Sequence, residues 1–166
     1  LLGRALELAP SELERAHASV EVARVDVASR RYDAAIERLD EAITVAAAAG
    51  DLNLQAEALG WKTRASWLRA SWRDALESAQ AAVAVLEGLP ESPQLARTLA
   101  RLSQIEMLRA LPSAEPSALR AIEVARSTGE RAAEANARSN LMAERARTIP
   151  PTEAELSEII DLAQQA

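Results

Sequence analysis

The sequence offers few side chains that could perform covalent chemistry. His17 is the only histidine and cysteine is absent, so a zinc site and a thiol nucleophile are both disfavoured. The carboxylates of Glu37, Asp40 and Glu41 lie beside Arg38 in one charged stretch, which is typical of a solvated helix face rather than an acid–base pair. No phosphate-binding glycine loop and no serine-hydrolase elbow occurs in the sequence. We therefore predict a protein that is not an enzyme and needs no cofactor or metal.

Composition and charge narrow the possible partners. The 166 residues carry a net charge of −6 with an isoelectric point near 5.0, which disfavours contact with a phosphate backbone. No apolar run approaches the roughly 20 residues of a membrane span, and the first ten residues carry charges unlike a signal peptide. These features indicate a cytoplasmic chain that binds neither nucleic acid nor membrane.

Helix-stopping residues recur along the chain at a nearly constant interval. Pro10, Gly50, Pro90 and Gly129 are separated by 40, 40 and 39 residues, and a second break lies about midway in each interval. We therefore expect an all-α fold, a right-handed α-solenoid of antiparallel helical hairpins in one domain over residues 1–166. A partial leading helix is expected at residues 1–10, and four repeats at about 11–50, 51–90, 91–129 and 130–166. Both chain ends indicate a piece of a longer repeat protein, although a short native chain is the alternative.

The repeats share an internal pattern at the start of each second helix. In the first hairpin the pattern is Tyr32, Ala35 and Ala42, and in the second hairpin an aromatic residue and two alanines recur forty positions later. Small residues at fixed places indicate helices that pack at short distance. Helix starts are marked by two capping boxes, which pair Ser11 with Glu14 and Thr152 with Glu155.

This pattern resembles the tetratricopeptide repeat. The resemblance is closest in the first two hairpins and rests on seven residues: Tyr32, Ala35, Leu39, Ala42, Trp72, Ala75 and Ala82. The third and fourth hairpins depart from it, with Pro112 and Pro151 in place of the aromatic residue and Glu115 in place of the small one. HEAT and armadillo repeats have a similar period but lack this spacing of an aromatic residue and alanines.

A second resemblance covers nearly the whole chain. The period of about 40, the polar turns after Gly50 and Gly129, and the A-x-A-x-x-N-L motif of residues 135–141 are similar to the repeat region of large ATP-binding LuxR-type (MalT-like) bacterial transcription regulators. This resemblance implies that a nucleotide-binding domain and a helix-turn-helix domain would lie outside these residues.

The tetratricopeptide register implies a binding groove lined by residues of the first helices. These residues are His17, Arg24, Val27, Glu57, Arg64, Trp67, Arg97, Gln104 and Met107. We expect Arg24 and Arg64 to stack one repeat apart near Trp67 and to hold a protein or peptide, acidic or amphipathic, or a small anionic effector. The alternative is that these arginines pair with Glu57 and its neighbours on a solvated face. The other tryptophans, Trp61 and Trp72, are predicted to fill the core.

Two functions follow from these expectations. In the first, the chain is a sensor or protein-interaction module of a multidomain bacterial transcription regulator, in which a ligand in the groove changes the curvature of the repeats. In the second, it is a passive scaffold whose repeats assemble with themselves or with another protein. A peptide-sensing regulator with an N-terminal DNA-binding domain is a third, weaker possibility.

Overall fold

The computed structural model describes residues 11–165, which form eight α-helices and no β-strand. In chain order the helices are α1 Glu12–Ala28, α2 Tyr32–Ala49, α3 Leu52–Leu68, α4 Trp72–Glu87, α5 Pro93–Leu108, α6 Ala114–Thr128, α7 Arg131–Arg145 and α8 Glu153–Gln164. The segment predicted as a leading helix, residues 1–10, lies outside the described residues. For residues 11–165 the predicted all-α class is confirmed.

The first helices of three successive hairpins end in the same type of turn. Arg30, Ala70 and Ala110 have positive φ angles of 60°, 65° and 54°, at intervals of forty residues. In each turn the following residue donates its backbone N–H to the carbonyl five positions earlier, at 2.8–2.9 Å. This pattern is a Schellman termination, which usually has glycine at the left-handed position. Because arginine or alanine stands there, the sequence lacks the residue that normally marks such a turn.

The helix starts are stabilised by side-chain caps. At α1 the Ser11 hydroxyl oxygen accepts from the backbone N–H of Glu14 at 3.2 Å, and the Glu14 carboxylate accepts from the backbone N–H of Ser11 at 3.0 Å. Thr152 and Glu155 form the same pair of bonds at α8. Both capping boxes predicted from the sequence are therefore confirmed.

Helix contacts divide the chain into two compact units, and the first unit ends at Leu86. Here α2 packs against both α1 and α3. Ala35, Leu39 and Ala42 are almost completely buried, and the small alanines let the helices approach closely. Trp61 is half-buried against this core, as expected for a large side chain among alanines.

The second unit begins at Glu87. In this unit α6 packs against α5 and α7, and α5 also contacts α7, around buried leucine and isoleucine side chains of α5 such as Leu99 and Ile105. The last helix, α8, packs on α7, but none of its described residues is buried. The prediction of a single domain over residues 1–166 stays a prediction.

Residue Ala118 occupies the small-residue position of α6. Ala118, Ile122 and Ala125 are buried and have the same spacing as the buried residues of α2. The offset from Ala35 to Ala118 is 83 residues, which is two periods of 40 plus three extra residues in the turn before α6. The sequence alignment that put Glu115 at this position is therefore wrong. Because of these extra residues, the buried positions of α6 lie three residues later than a fixed period of 40 would place them.

Among the described residues, no helix is both long enough and apolar enough to cross a membrane.

Candidate ligand-binding surface

The predicted groove residues fall in both units, so each unit is described by itself. In the first unit they lie on α1 and α3. His17 is exposed on α1, and its Nε2 lies 3.5 Å from the Asp51 carboxylate. The same carboxylate accepts from the backbone N–H of Leu54 at 3.0 Å and so caps the start of α3. His17 therefore contacts the N-terminal end of α3.

Arg24 connects α1 to the middle of α3. One of its guanidinium nitrogens donates to both carboxylate oxygens of Glu21, at 2.8 and 3.0 Å. The guanidinium carbon also lies 5.2 Å from the ring centroid of Trp61, within the range of a cation–π contact. Trp61 was predicted as a core residue, and the structure gives its ring a second role as the surface on which Arg24 stacks.

Arg64 lies on the same helix, three residues after Trp61. Its side chain is exposed, and within residues 11–165 its guanidinium has no ion-pair or hydrogen-bond partner. Trp67 follows three residues later and is 38% exposed. Because residues three apart lie on one side of a helix, α3 presents an unpaired cation between two indole rings.

Two further predicted residues of the first unit behave differently. Glu57 is half-buried on α3 and pairs with neither Arg24 nor Arg64, whereas Arg24 forms an exposed ion pair with Glu21, as the alternative of a solvated face expects for that residue. Val27 is only 5% exposed and packs in the core with Val20 and Ala23. The assignment of Val27 to a groove is corrected, because this face of α1 points into the hairpin.

In the second unit the three predicted residues lie on α5. Arg97 is exposed and donates to the Glu130 carboxylate at 2.7 Å. Gln104 is exposed, and Met107 is half-buried, with its backbone carbonyl accepting from the Arg147 guanidinium. The sequence therefore identified surface positions here, but Arg97 already has a carboxylate partner.

A buried polar position within the hairpins was not identified from the sequence. Asp26 is 3% exposed and accepts from Arg31 Nε at 2.9 Å and from Arg38 Nε at 3.1 Å. Forty and eighty residues later the same position holds the buried residues Ser66 and Glu106. A polar residue recurring inside an apolar stripe was the available signal, but its chemistry differs in each repeat.

The described residues contain no group of three or more histidine, cysteine, aspartate or glutamate side chains arranged to hold a metal ion. The exposed side chains of Arg64 and Trp67 on α3 can offer a ligand a positive charge and an apolar contact. An exposed guanidinium can donate two parallel hydrogen bonds to a carboxylate or phosphate, and a partly exposed indole supplies rigid apolar area beside it.

Comparison with known proteins gives a likeness of fold. No protein-family model matches the sequence, and no curated protein matches it either. Among solved structures, the chain is similar to the crystal structure of aspartyl phosphate phosphatase F from Bacillus subtilis, with a TM-score of 0.78, 16% sequence identity and 99% of this chain covered. The chain spans 42% of the length of that protein. This likeness, which concerns the fold alone, supports the predicted tetratricopeptide-like α-solenoid of helical hairpins.

Proposed function

We propose that this chain is a non-catalytic binding module that recognises an acidic or amphipathic peptide, or a small anionic effector, through α1 and α3. The observation that carries the proposal is the exposed guanidinium of Arg64, which has no partner within residues 11–165 and lies one helical turn from the exposed ring of Trp67. Most other arginines of the described chain hold a carboxylate. An arginine left without one, beside an exposed indole, is suited to a partner that brings its own carboxylate.

The weak ion pair of the neighbouring Arg24 also favours an anionic ligand. Arg24 and Glu21 have side chains 46% and 48% exposed, so their ion pair is worth at most about 1 kcal/mol. A ligand carboxylate could therefore draw Arg24 away from Glu21 at small cost, while Arg64 gives up no existing ion pair. Trp67 would supply the apolar anchor, since large aromatic side chains dominate the binding energy of many interfaces.

The wider context that we propose is a multidomain bacterial transcription regulator of the LuxR type, as the sequence resemblance implies. In this proposal Arg97, Gln104 and Met107 of the second unit contribute further contacts of their own. A passive scaffold for protein assembly is the alternative. The flanking coding sequence distinguishes them, because the regulator requires an ATP-binding motif before these residues and a helix-turn-helix after them.

Binding is tested with fluorescein-labelled peptides of eight to twelve residues that alternate glutamate and leucine, measured by fluorescence anisotropy. Arg64→Gln should weaken binding at least tenfold, a change of about 1.4 kcal/mol. Arg30→Gln is the matched control. Arg30 is also exposed, also lacks an ion-pair partner within residues 11–165, and lies in the turn after α1. Equal affinities of Arg64→Gln and wild type would overturn the proposed site.

The non-catalytic part of the proposal needs its own measurement. The similar solved structure is named an aspartyl phosphate phosphatase. Acetyl phosphate contains the same acyl phosphate bond, and its hydrolysis can be followed by release of inorganic phosphate. We expect the purified chain to leave the rate in buffer unchanged. An acceleration that His17→Ala removes would overturn the non-catalytic assignment.

A further inference from the structure

A concave site lies within the second unit. It is a cavity of about 490 Å³ between α6, α7, the turn that follows α7, and α8. Its apolar wall is aliphatic and includes Leu119, Ile122, Met142 and Ile159. The volume falls in the range of about 300 to 1,000 Å³ that is usual for small-molecule sites.

Three arginines and two glutamates line this cavity, and two of the arginines, Arg126 and Arg138, also pair with Glu134. Glu134 has a side chain only 12% exposed, and its Oε1 accepts from Arg126 Nε at 2.7 Å and from an Arg138 terminal nitrogen at 2.9 Å. Arg138 also pairs with Glu158. If Arg126 left Glu134, the buried carboxylate would keep Arg138 as its partner. The Arg126 side chain is 58% exposed and lines the cavity, so it is free to turn toward a bound anion.

The helix that closes the cavity is incompletely packed. None of the described residues of α8 is buried, and Ile159, which faces the cavity, is only half-buried. An apolar group in the cavity would cover Ile159 and remove aliphatic surface of α6 and α7 from water. The site therefore combines an aliphatic wall that would gain from being covered with a cation that can change partners.

We propose that this cavity binds a free aliphatic carboxylic acid of medium chain length. The hydrocarbon chain lies against Leu119, Ile122 and Met142, and the carboxylate accepts two hydrogen bonds from Arg126. Glu134 keeps Arg138 as its partner, and Glu158, with which Arg138 also pairs, has a side chain 64% exposed to solvent. The proposal does not depend on the function proposed for α1 and α3.

The test uses sodium octanoate and sodium decanoate, below their micellar concentrations, with the purified chain in a titration calorimeter. Decanoate should bind with one-to-one stoichiometry and about tenfold more tightly than octanoate, because each buried methylene adds about 0.8 kcal/mol. Arg126→Gln should weaken decanoate at least tenfold and leave the binding of decanol unchanged. Arg120→Gln removes an arginine of the same helix that pairs with Glu91 and Glu123 and does not line the cavity, so it should bind like the wild type.

A second variant and a second measurement keep the test decisive. Leu119 is 46% exposed, so Leu119→Glu should fold normally and abolish decanoate binding. Decanoate should also slow amide hydrogen exchange in α8 of the wild type. The proposal is overturned if decanoate does not bind, if it binds Arg126→Gln as well as the wild type, or if an acetylated tripeptide ending in Ile-Leu binds more tightly than decanoate.

Discussion

The side-chain amide of Asn140 donates a hydrogen bond to the backbone carbonyl of Ala100 at 3.0 Å, joining two residues that are forty positions apart in the sequence. The amide nitrogen also donates to the Ser103 hydroxyl oxygen at 2.9 Å, and that hydroxyl donates to the Ala100 carbonyl at 2.9 Å. All three residues are buried. The two bonds from Asn140 therefore hold α7 against α5 through polar atoms that water does not reach, and the third bond fixes the Ser103 hydroxyl within α5.

Replacing Asn140 by alanine should lower the free energy of unfolding by about 1 to 3 kcal/mol, because the change removes two buried hydrogen bonds and leaves a cavity. Urea denaturation followed by circular dichroism measures the change. Asn136→Ala is the control, since Asn136 is exposed on the same helix and should change stability by less than about 0.5 kcal/mol. Similar losses for both variants would mean that the triangle of bonds does not stabilise the unit.

The sequence spacing did not predict the bond between Asn140 and Ala100. The interval of 39 residues from Pro90 to Gly129 makes residue 139, not residue 140, equivalent to residue 100. Helix type, repeat length and the small residues of the core could be predicted, because each depends on local spacing. The partner of an individual polar side chain depends on how far one helix slides along another, which the spacing within a helix does not define.

At the left-handed turn, replacing Ala70 should increase stability, whereas replacing Asn140 should decrease it. Alanine at φ 65° is strained, whereas glycine adopts this conformation without a steric penalty. Ala70→Gly should therefore raise the free energy of unfolding by about 0.5 to 1 kcal/mol, despite the greater chain entropy of glycine when unfolded. The measurement is again urea denaturation.

The control for that change is the same substitution in a regular helix. Ala81 is exposed within α4, and Ala81→Gly should lower stability by about 0.5 to 1 kcal/mol, the usual cost of glycine in a helix. A destabilised Ala70→Gly variant would show that the turn does not hold Ala70 in the left-handed conformation in solution.

Asp26 should contribute to the stability of the first unit through its two arginines. Asp26→Asn keeps the shape of the side chain but removes the charge that Arg31 and Arg38 bind, so we expect a loss of about 1.5 to 3 kcal/mol. Asp33→Asn is the control, because the Asp33 side chain is 80% exposed and its pair with Arg69 lies in solvent. If the two variants are equally stable, the buried pairing around Asp26 has no net effect.

At the candidate surface on α1 and α3, as in the core, the sequence spacing predicted positions within a helix but not the contacts between helices. The tetratricopeptide register assigned Arg24, Arg64 and Trp67 to a groove. All three are exposed in the structure, and the groove stays a prediction. The register could not reveal that Arg24 stacks on Trp61, or that Val27 turns into the core. These differences arise because α1 is apolar on more than one side, so a position within the register does not decide which side meets the neighbouring helix.

Acidification should loosen α8 before it unfolds the rest of the second unit. Hydrogen bonds from the Thr152 backbone N–H and hydroxyl, together with the charge of Arg145, hold the pKa of the Glu155 carboxyl below its ordinary value of 4.5. Because the pKa is lower in the folded chain than in the unfolded chain, this carboxylate stabilises the helix start above pH 4.5, and the stabilisation is lost as the pH falls through the lowered pKa. Amide exchange of α8, corrected for its intrinsic pH dependence, should therefore be constant between about pH 7 and 5 and accelerate below the ordinary glutamate pKa.

Glu155→Gln provides the matched comparison, since glutamine can occupy the same position of a capping box but does not titrate. An equally steep acid response in that variant would assign the loosening to other carboxylates of the unit.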